Sequence, residues 1–178
     1  KLSVLSSLFT LYGFASLKKE LSKLQSARLF LTDWKGQSLQ SVVGNEQELR
    51  LINQLDQKRV AAECAKWLRG KVDVKASTIP QAAQNLFHAQ SDDSSFAVHG
   101  SATLSPTGLG DVRTDSLQMN TGISDAETTK QLITWFDGIW SDETNAKDIK
   151  ADLIEKLDFI ASDQPANFIY FLTLYNIF

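Results

Sequence analysis

The sequence predicts an α/β fold: a mixed sheet flanked by helices, with a helical cluster toward the C-terminal end. Three patterns lead to this prediction. They are a strand–helix–strand succession in the first 31 residues, two short strands between residues 85 and 100, and helical spacing of apolar residues after residue 124. A strand–helix–strand unit favours parallel pairing of its two strands. Because 178 residues suit one domain with a sizeable core, we expect a single domain over 1–178.

The first half of the chain is predicted to alternate strands and helices. Apolar residues at i, i+3, i+7 and i+10 predict an amphipathic first helix. These residues are Phe14, Leu17, Leu21 and Leu24. Asn45, with Glu48 three residues later, predicts the start of a second helix that runs to about Leu68 and that Gly70 ends. The predicted strands are residues 2–11, Ala27 to Leu31, and Val72 to Ala76.

The second half begins with strands and then turns helical. Strands are predicted at Asn85 to Gln90, Ser95 to Gly100, and Ser116 to Ile123. Ser124 and Glu127 form a capping-box pattern for a helix that runs to about Trp140. Helical spacing then predicts another helix, marked by Ile149, Leu153, Leu157 and Ile160. A last, mostly apolar helix is predicted to begin near Pro165.

Charge and composition restrict the classes of partner. A formal net charge of −3 and a pI near 5.4 provide no overall basic field, so tight nonspecific binding to DNA is not implied. A local basic groove remains compatible with this balance. The basic residues that are candidates for DNA contact are Lys18, Lys19, Lys23, Arg69 and Lys71.

Cysteine content and hydropathy indicate the compartment. The single cysteine, Cys64, permits no internal disulfide and lies in a helical pattern, so we expect a buried thiol in a reducing environment. The most apolar run, Phe168 to Phe178, is shorter than the roughly 20 residues of a membrane span. We therefore expect a cytoplasmic protein with no membrane partner. The absence of an initiating Met suggests a domain excised from a longer chain.

The stretch from His88 to Gly110 carries the chemical signal. His88 leaves one predicted strand, and a loop beginning Gly100-Ser101 leaves the next. This stretch resembles the HKD region of the phospholipase D superfamily, in the version found in bacterial HKD nucleases and at the N-terminus of some superfamily-2 helicases. The positions that match the family pattern are His88, Gly100, Ser101, Leu104, Gly108 and Leu109. The order of strands and helices extends the resemblance over nearly the whole chain.

Four positions depart from the family pattern. Gln90 stands where the pattern has lysine, Thr103 where it has asparagine, Ser95 where it has aspartate, and Gln118 where it has glutamate. These substitutions remove charge or hydrogen-bonding capacity from the expected phosphate site. Loss of one preorganised donor costs about 2.7–4 kcal/mol in comparable sites. The predicted site therefore has the frame of the family without its full chemistry.

The resemblance implies a role for each matching residue. Two such histidines face each other in the family; one attacks phosphorus and the other protonates the leaving oxygen, without a metal. A chain with one motif must then dimerise. Implied here are His88 as the nucleophile, Gly100, Ser101, Thr103 and Gln90 as phosphate-binding groups, and His99 and Gln118 as supporting groups. Asp92 and Asp93 fit a hairpin turn better than a metal site.

The sequence thus predicts an accessory phospholipase D-like domain at the N-terminal end of a bacterial helicase-type protein. Its expected work is nucleic-acid binding or dimerisation around a decayed nuclease site. Expected partners are DNA, a second copy of the chain and the rest of the helicase polypeptide; no cofactor is expected. Two alternatives stay open. One is an active metal-independent phosphodiesterase that uses His88 across a dimer, and the other is a purely structural interaction module.

Overall fold

The computed structural model describes residues 1–34, 38–44, 54–79, 84–113 and 117–162. The strands are β1 (Leu2–Ser6), β2 (Ala27–Leu31), β3 (Val72–Ser77), β4 (Asn85–Gln90), β5 (Ser95–Gly100), β6 (Asn120–Ile123) and β7 (Ala146–Asp148). The helices are α1 (Leu11–Leu21), α2 (Leu39–Val43), α3 (Gln54–Lys71), α4 (Pro106–Leu109), α5 (Ala126–Trp140) and α6 (Lys150–Ala161). No helix among the described residues is long and apolar enough to cross a membrane.

The seven strands of the described chain form one mixed sheet in the order β6-β5-β4-β1-β2-β3-β7. β1 and β2 pair in parallel, as do β2 and β3, whereas all other neighbours in this sheet are antiparallel. The predicted α/β fold and the parallel pairing of the first strand–helix–strand unit are confirmed.

Two hydrophobic cores lie on the two faces of the sheet, because successive strand residues point to opposite sides. On one side, which we call the α3 face, Val4 and Leu29 pack with α1, α3 and α6. On the other side, the α5 face, Leu5 and Phe30 pack with Phe136 of α5. The helical cluster expected at the C-terminal end is thereby divided, since α5 and α6 pack on opposite faces.

Local capping explains where the helices differ from their predicted limits. The strand predicted over 2–11 ends at Ser6, and α1 begins at Leu11 because the Thr10 side chain accepts a hydrogen bond from Gly13 N. α5 is capped by Asp125, whose carboxylate accepts from Thr128 N at 2.8 Å, and not by Ser124. In both helices, the residue before the first turn has a short polar side chain that accepts from the backbone amide three residues later.

The remaining differences concern short elements and residues outside the described ranges. β6 covers Asn120–Ile123, a shorter strand than predicted, and β7 was not predicted at all because a three-residue strand has no detectable periodicity. The predicted helix start at Asn45 and the helix near Pro165 lie outside the described residues. Cys64 is buried on the α3 face as predicted, and burial raises the pKa of its thiol.

Candidate functional site

His88 lies in the middle of β4 and is only 2% exposed. Its strand neighbours are Ser3 on β1 and Ala97 on β5, and its side chain shares the α5 face with Leu86. His88 Nε2 is 2.8 Å from Ser95 Oγ, so one ring nitrogen already has a partner within the sheet. The predicted nucleophile is therefore a buried and hydrogen-bonded histidine.

A cation lies near His88 but has other partners. Arg28 on β2 donates to Ser3 Oγ through Nε at 3.3 Å and through Nη2 at 3.0 Å. Its Nη1 forms an ion pair with Asp137 Oδ1 of α5 at 2.8 Å. Its guanidinium also lies 4.9 Å from the ring centroid of Phe136. Arg28 thus joins the sheet to α5 by charge and by cation–π contact.

The environment of His88 favours its neutral form. Burial is the largest cause of a lowered His88 pKa, and the positive charge of Arg28 lowers it further. The negative charge of Asp137 raises the pKa of His88. The N-terminal ammonium, the smallest of the four causes, lowers it. The imidazole is therefore held neutral at a pH where an exposed histidine would begin to protonate.

Acidification is expected to destabilise the fold through His88. Its folded pKa lies below the ordinary value of 6.5, so its full contribution to stability is present above pH 6.5 and is lost as pH falls toward the folded pKa. We expect wild type to lose more free energy of unfolding than His88→Gln between about pH 7.5 and about pH 5. Urea unfolding at each pH measures this. His99→Gln is the control, and a wild-type pH dependence equal to that of His88→Gln would contradict the expectation.

The hydrogen-bonding groups of the loop after β5 already have partners in the protein. Gly100 has a φ of +151°, and a Cβ there would come within 2.7 Å of Asn120 Oδ1. Ser101 N donates to Met119 O at 3.1 Å, and Ser101 Oγ accepts from Met119 N at 2.9 Å. Ala102 N donates to Asn120 Oδ1 at 2.8 Å. These amides join the loop to Met119 and to Asn120 at the start of β6, and they do not converge on an open anion site.

The other predicted site residues lie apart from His88. Thr103 Oγ1 contacts Ser105 Oγ at 2.9 Å, and Gln118 Nε2 donates to Thr107 O at 3.1 Å. His99 Nε2 lies 3.1 Å from Gln84 Oε1. Gln90 is exposed at the end of β4 and is the one predicted phosphate ligand on the same strand and face as His88.

Strand pairing explains the separation of the two halves of the motif. His88 pairs with Ala97, whereas Gly100 pairs with Asn85 at the other end of the hairpin. Three residues of strand correspond to about 10 Å. The structure therefore brings His88 together with Ser95 and does not bring it together with the loop at Gly100.

The sequence did not indicate two groups of residues with a potential functional role. Arg28 and Asp137 form an ion pair whose charges act on His88. The feature that could have indicated this pair is the single charged residue in the apolar strand Ala27–Leu31. Lys66 and Trp67 lie with Lys18 in a groove between α1 and α3, on the other face of the sheet. Their signal was the adjacency of a lysine and a tryptophan on an amphipathic helix.

Comparison with known proteins gives this chain no family. No family model matches the chain, and no curated protein matches it. Within the described ranges, no group of three or more His, Cys, Asp or Glu side chains is arranged to hold a metal ion. The fold and these side-chain contacts therefore define only the class of the protein, a mixed α/β domain with a buried histidine in its sheet.

Proposed function

We propose that this chain is an accessory phospholipase D-like domain of a helicase-type protein, and that it holds nucleic acid without cutting it. The observation that supports the absence of cleavage is the position of His88. The residue is 2% exposed, and its Nε2 contacts Ser95 Oγ. A nucleophilic histidine has to reach phosphorus with a free ring nitrogen.

The charges around His88 also oppose phosphodiester cleavage. Arg28 is engaged by Asp137, so it is not free to neutralise the nonbridging oxygens of a phosphate. The surroundings of His88 lower its pKa, whereas a histidine that protonates a leaving oxygen has to carry a proton. Position 90 supplies a neutral amide instead of a cation.

Binding without cleavage is supported by basic side chains on the α3 face. Lys18, Lys66 and Lys71 line one groove, although the whole chain has a net charge of −3. Phosphate contacts by lysine give affinity that depends on salt but not on sequence. A domain with basic side chains on one face can hold a nucleic-acid strand close to a helicase motor domain without cleaving the phosphodiester backbone of that strand.

We expect no cleavage of single-stranded or duplex DNA in the presence of a chelator, for either wild type or His88→Gln. Gln at position 88 can retain a hydrogen bond to Ser95 but cannot act as a nucleophile. Both proteins are expected to retain DNA at low salt and to release it at high salt. Gel assays for cleavage and filter retention across a salt series provide the two measurements.

Other outcomes would favour the alternative functions. Cleavage by wild type that is lost in His88→Gln would contradict the proposal and establish an active phosphodiesterase. Absence of both cleavage and retention would leave a structural interaction module as the best account. Thermal unfolding of both proteins confirms that the comparison concerns folded samples.

A further inference from the structure

A groove of about 340 Å³ lies between α1 and the C-terminal part of α3. It lies on the α3 face, so the sheet separates it from His88. We call it the α1–α3 groove. Its lining residues are Phe14, Lys18, Leu21, Ser22, Glu63, Lys66, Trp67, Gly70 and Lys71.

The charge of the α1–α3 groove is positive. Lys18, Lys66 and Lys71 oppose one carboxylate, Glu63. Glu63 accepts from Lys18 Nζ at 2.6 Å and from Arg59 Nη1 at 3.3 Å, and the contact with Lys18 is the main cause of a lowered Glu63 pKa. Lys66 is exposed and makes no hydrogen bond or ion pair with the other described residues. The groove therefore holds at least one cation whose charge is not neutralised.

An aromatic ring with a fixed position lines the same groove. Trp67 packs against the buried Phe14, with ring centroids 5.3 Å apart and an interplanar angle of 38°. Trp67 is itself partly exposed. A tryptophan supported from behind by a buried ring loses little conformational freedom when a planar ligand stacks on it.

We propose that the α1–α3 groove binds single-stranded DNA, with a base stacked on Trp67 and neighbouring phosphates bound by Lys18, Lys66 and Lys71. This inference rests on the proposed function and identifies where and in which form the nucleic acid is bound. Stacking platforms flanked by cations are the general means of binding unpaired strands without sequence preference. A duplex offers no unstacked base to the ring.

The groove is better suited to DNA than to RNA. Among its lining residues, the Ser22 hydroxyl already donates to Lys19 O at 2.8 Å, and the Glu63 carboxylate already accepts from Lys18 Nζ at 2.6 Å and from Arg59 Nη1 at 3.3 Å. Recognition of a ribose 2′-hydroxyl needs an available polar partner. Because these oxygens have partners within the protein, oligo(rU) is expected to bind no more tightly than oligo(dT).

A simpler explanation of the lysines predicts no ligand. Both helices end at this groove, and basic residues near helix C-termini interact with unpaired carbonyl groups. Lys71 Nζ, for example, donates at 3.4 Å to Leu24 O, in the segment that follows α1. This explanation accounts for Lys71 but not for an exposed Lys66 beside a supported tryptophan. It also predicts that the groove variants and their controls have the same affinity for oligonucleotides.

The stacking contact is tested by fluorescence anisotropy of labelled oligo(dT) with Trp67→Leu. The matched control is Trp135→Leu, which removes an exposed tryptophan from α5 on the opposite face. Loss of one stacked base is expected to weaken affinity about 5-fold to 150-fold for Trp67→Leu and to leave the control unchanged. Equal affinities for the two variants would overturn the proposal.

The phosphate contacts are tested with two charge variants that leave Trp67 in place. Lys66→Gln is expected to reduce the slope of log affinity against log salt by about 0.7, and Lys130→Gln on α5 is its control. Glu63→Gln is expected to strengthen binding because it removes a negative charge from the groove. A gain of affinity cannot result from damage to the fold, so unchanged or weaker binding by this variant counts against the proposal.

The same titrations separate this inference from the proposed function. If wild type binds oligo(dT) and all groove variants match their controls, the domain binds nucleic acid elsewhere and only the groove assignment fails. If wild type binds neither single-stranded nor duplex DNA, both proposals fail. Tighter binding of duplex than of oligo(dT), or of oligo(rU) than of oligo(dT), would also overturn the assignment.

Discussion

Replacing Phe136 with alanine is expected to lower the free energy of unfolding by about 3–5 kcal/mol, the cost of deleting a large core aromatic. Phe136 is 0% exposed and is the only buried apolar residue of α5. Its ring stacks on Trp140 with centroids 5.8 Å apart and contacts the guanidinium of Arg28. The substitution therefore leaves a cavity and removes one of the two cation–π contacts by which Arg28 of β2 meets the helix.

Denaturant unfolding of Phe136→Ala measures this cost, and Trp135→Ala provides the control. Trp135 is the adjacent aromatic of the same helix but is 46% exposed, so its removal is expected to cost less than about 1 kcal/mol. Similar costs for the two variants would mean that α5 does not pack on the sheet through Phe136. His88 would then be more accessible than its burial indicates.

Replacing Gly13 with alanine is expected to destabilise the fold by about 3 kcal/mol or more, at the upper end of overpacking costs. Gly13 lies in the first turn of α1 against the backbone of the loop that follows β5. A Cβ would clash with the carbonyl of Leu104 and would lie 2.7 Å from Ser105 N. The loop cannot move aside easily, because Leu104 O accepts from Thr10 N at 2.9 Å and Leu104 N donates to Leu8 O at 3.2 Å.

Gly138→Ala is the matched control for Gly13→Ala. Gly138 lies within α5, and a Cβ there would meet nothing within 4 Å. Because alanine is a better helix former than glycine, this change is expected to stabilise the protein by up to about 1 kcal/mol. Thermal or urea unfolding of both variants gives the comparison. Equal effects would contradict the close contact between α1 and the loop.

The strands were largely predictable from the sequence, whereas some helix starts and short strands were not. Apolar strands such as Ala27–Leu31 and the two strands of the β4–β5 hairpin have local signals that their packing reinforces. The start of α1 depends on Thr10 and the start of α5 on Asp125, so each is decided by one side chain and one amide. β7 exists only because β3 offers an edge to pair with, which no local pattern reveals.

The candidate site was predictable in its residues but not in its geometry. The sequence identified His88 and the loop at Gly100, and the antiparallel register then placed them at different levels of one hairpin. It did not indicate that Ser95 would contact His88, or that Arg28 would be held by Asp137 from a helix more than 100 residues later. The catalytic and phosphate-binding roles of these residues stay predictions.

The position of β1 in the sheet determines which pairing is entropically hardest to form. Ser3 of β1 pairs with Arg28 of β2 on one side and with His88 of β4 on the other. The chain segment between Ser3 and His88 is more than three times as long as that between Ser3 and Arg28. Loop-closure entropy makes this longer closure costlier by about 1 kcal/mol. Local contacts therefore favour early formation of the parallel strands and of the β4–β5 hairpin as separate units. The histidine acquires its buried environment when these two units meet along β1.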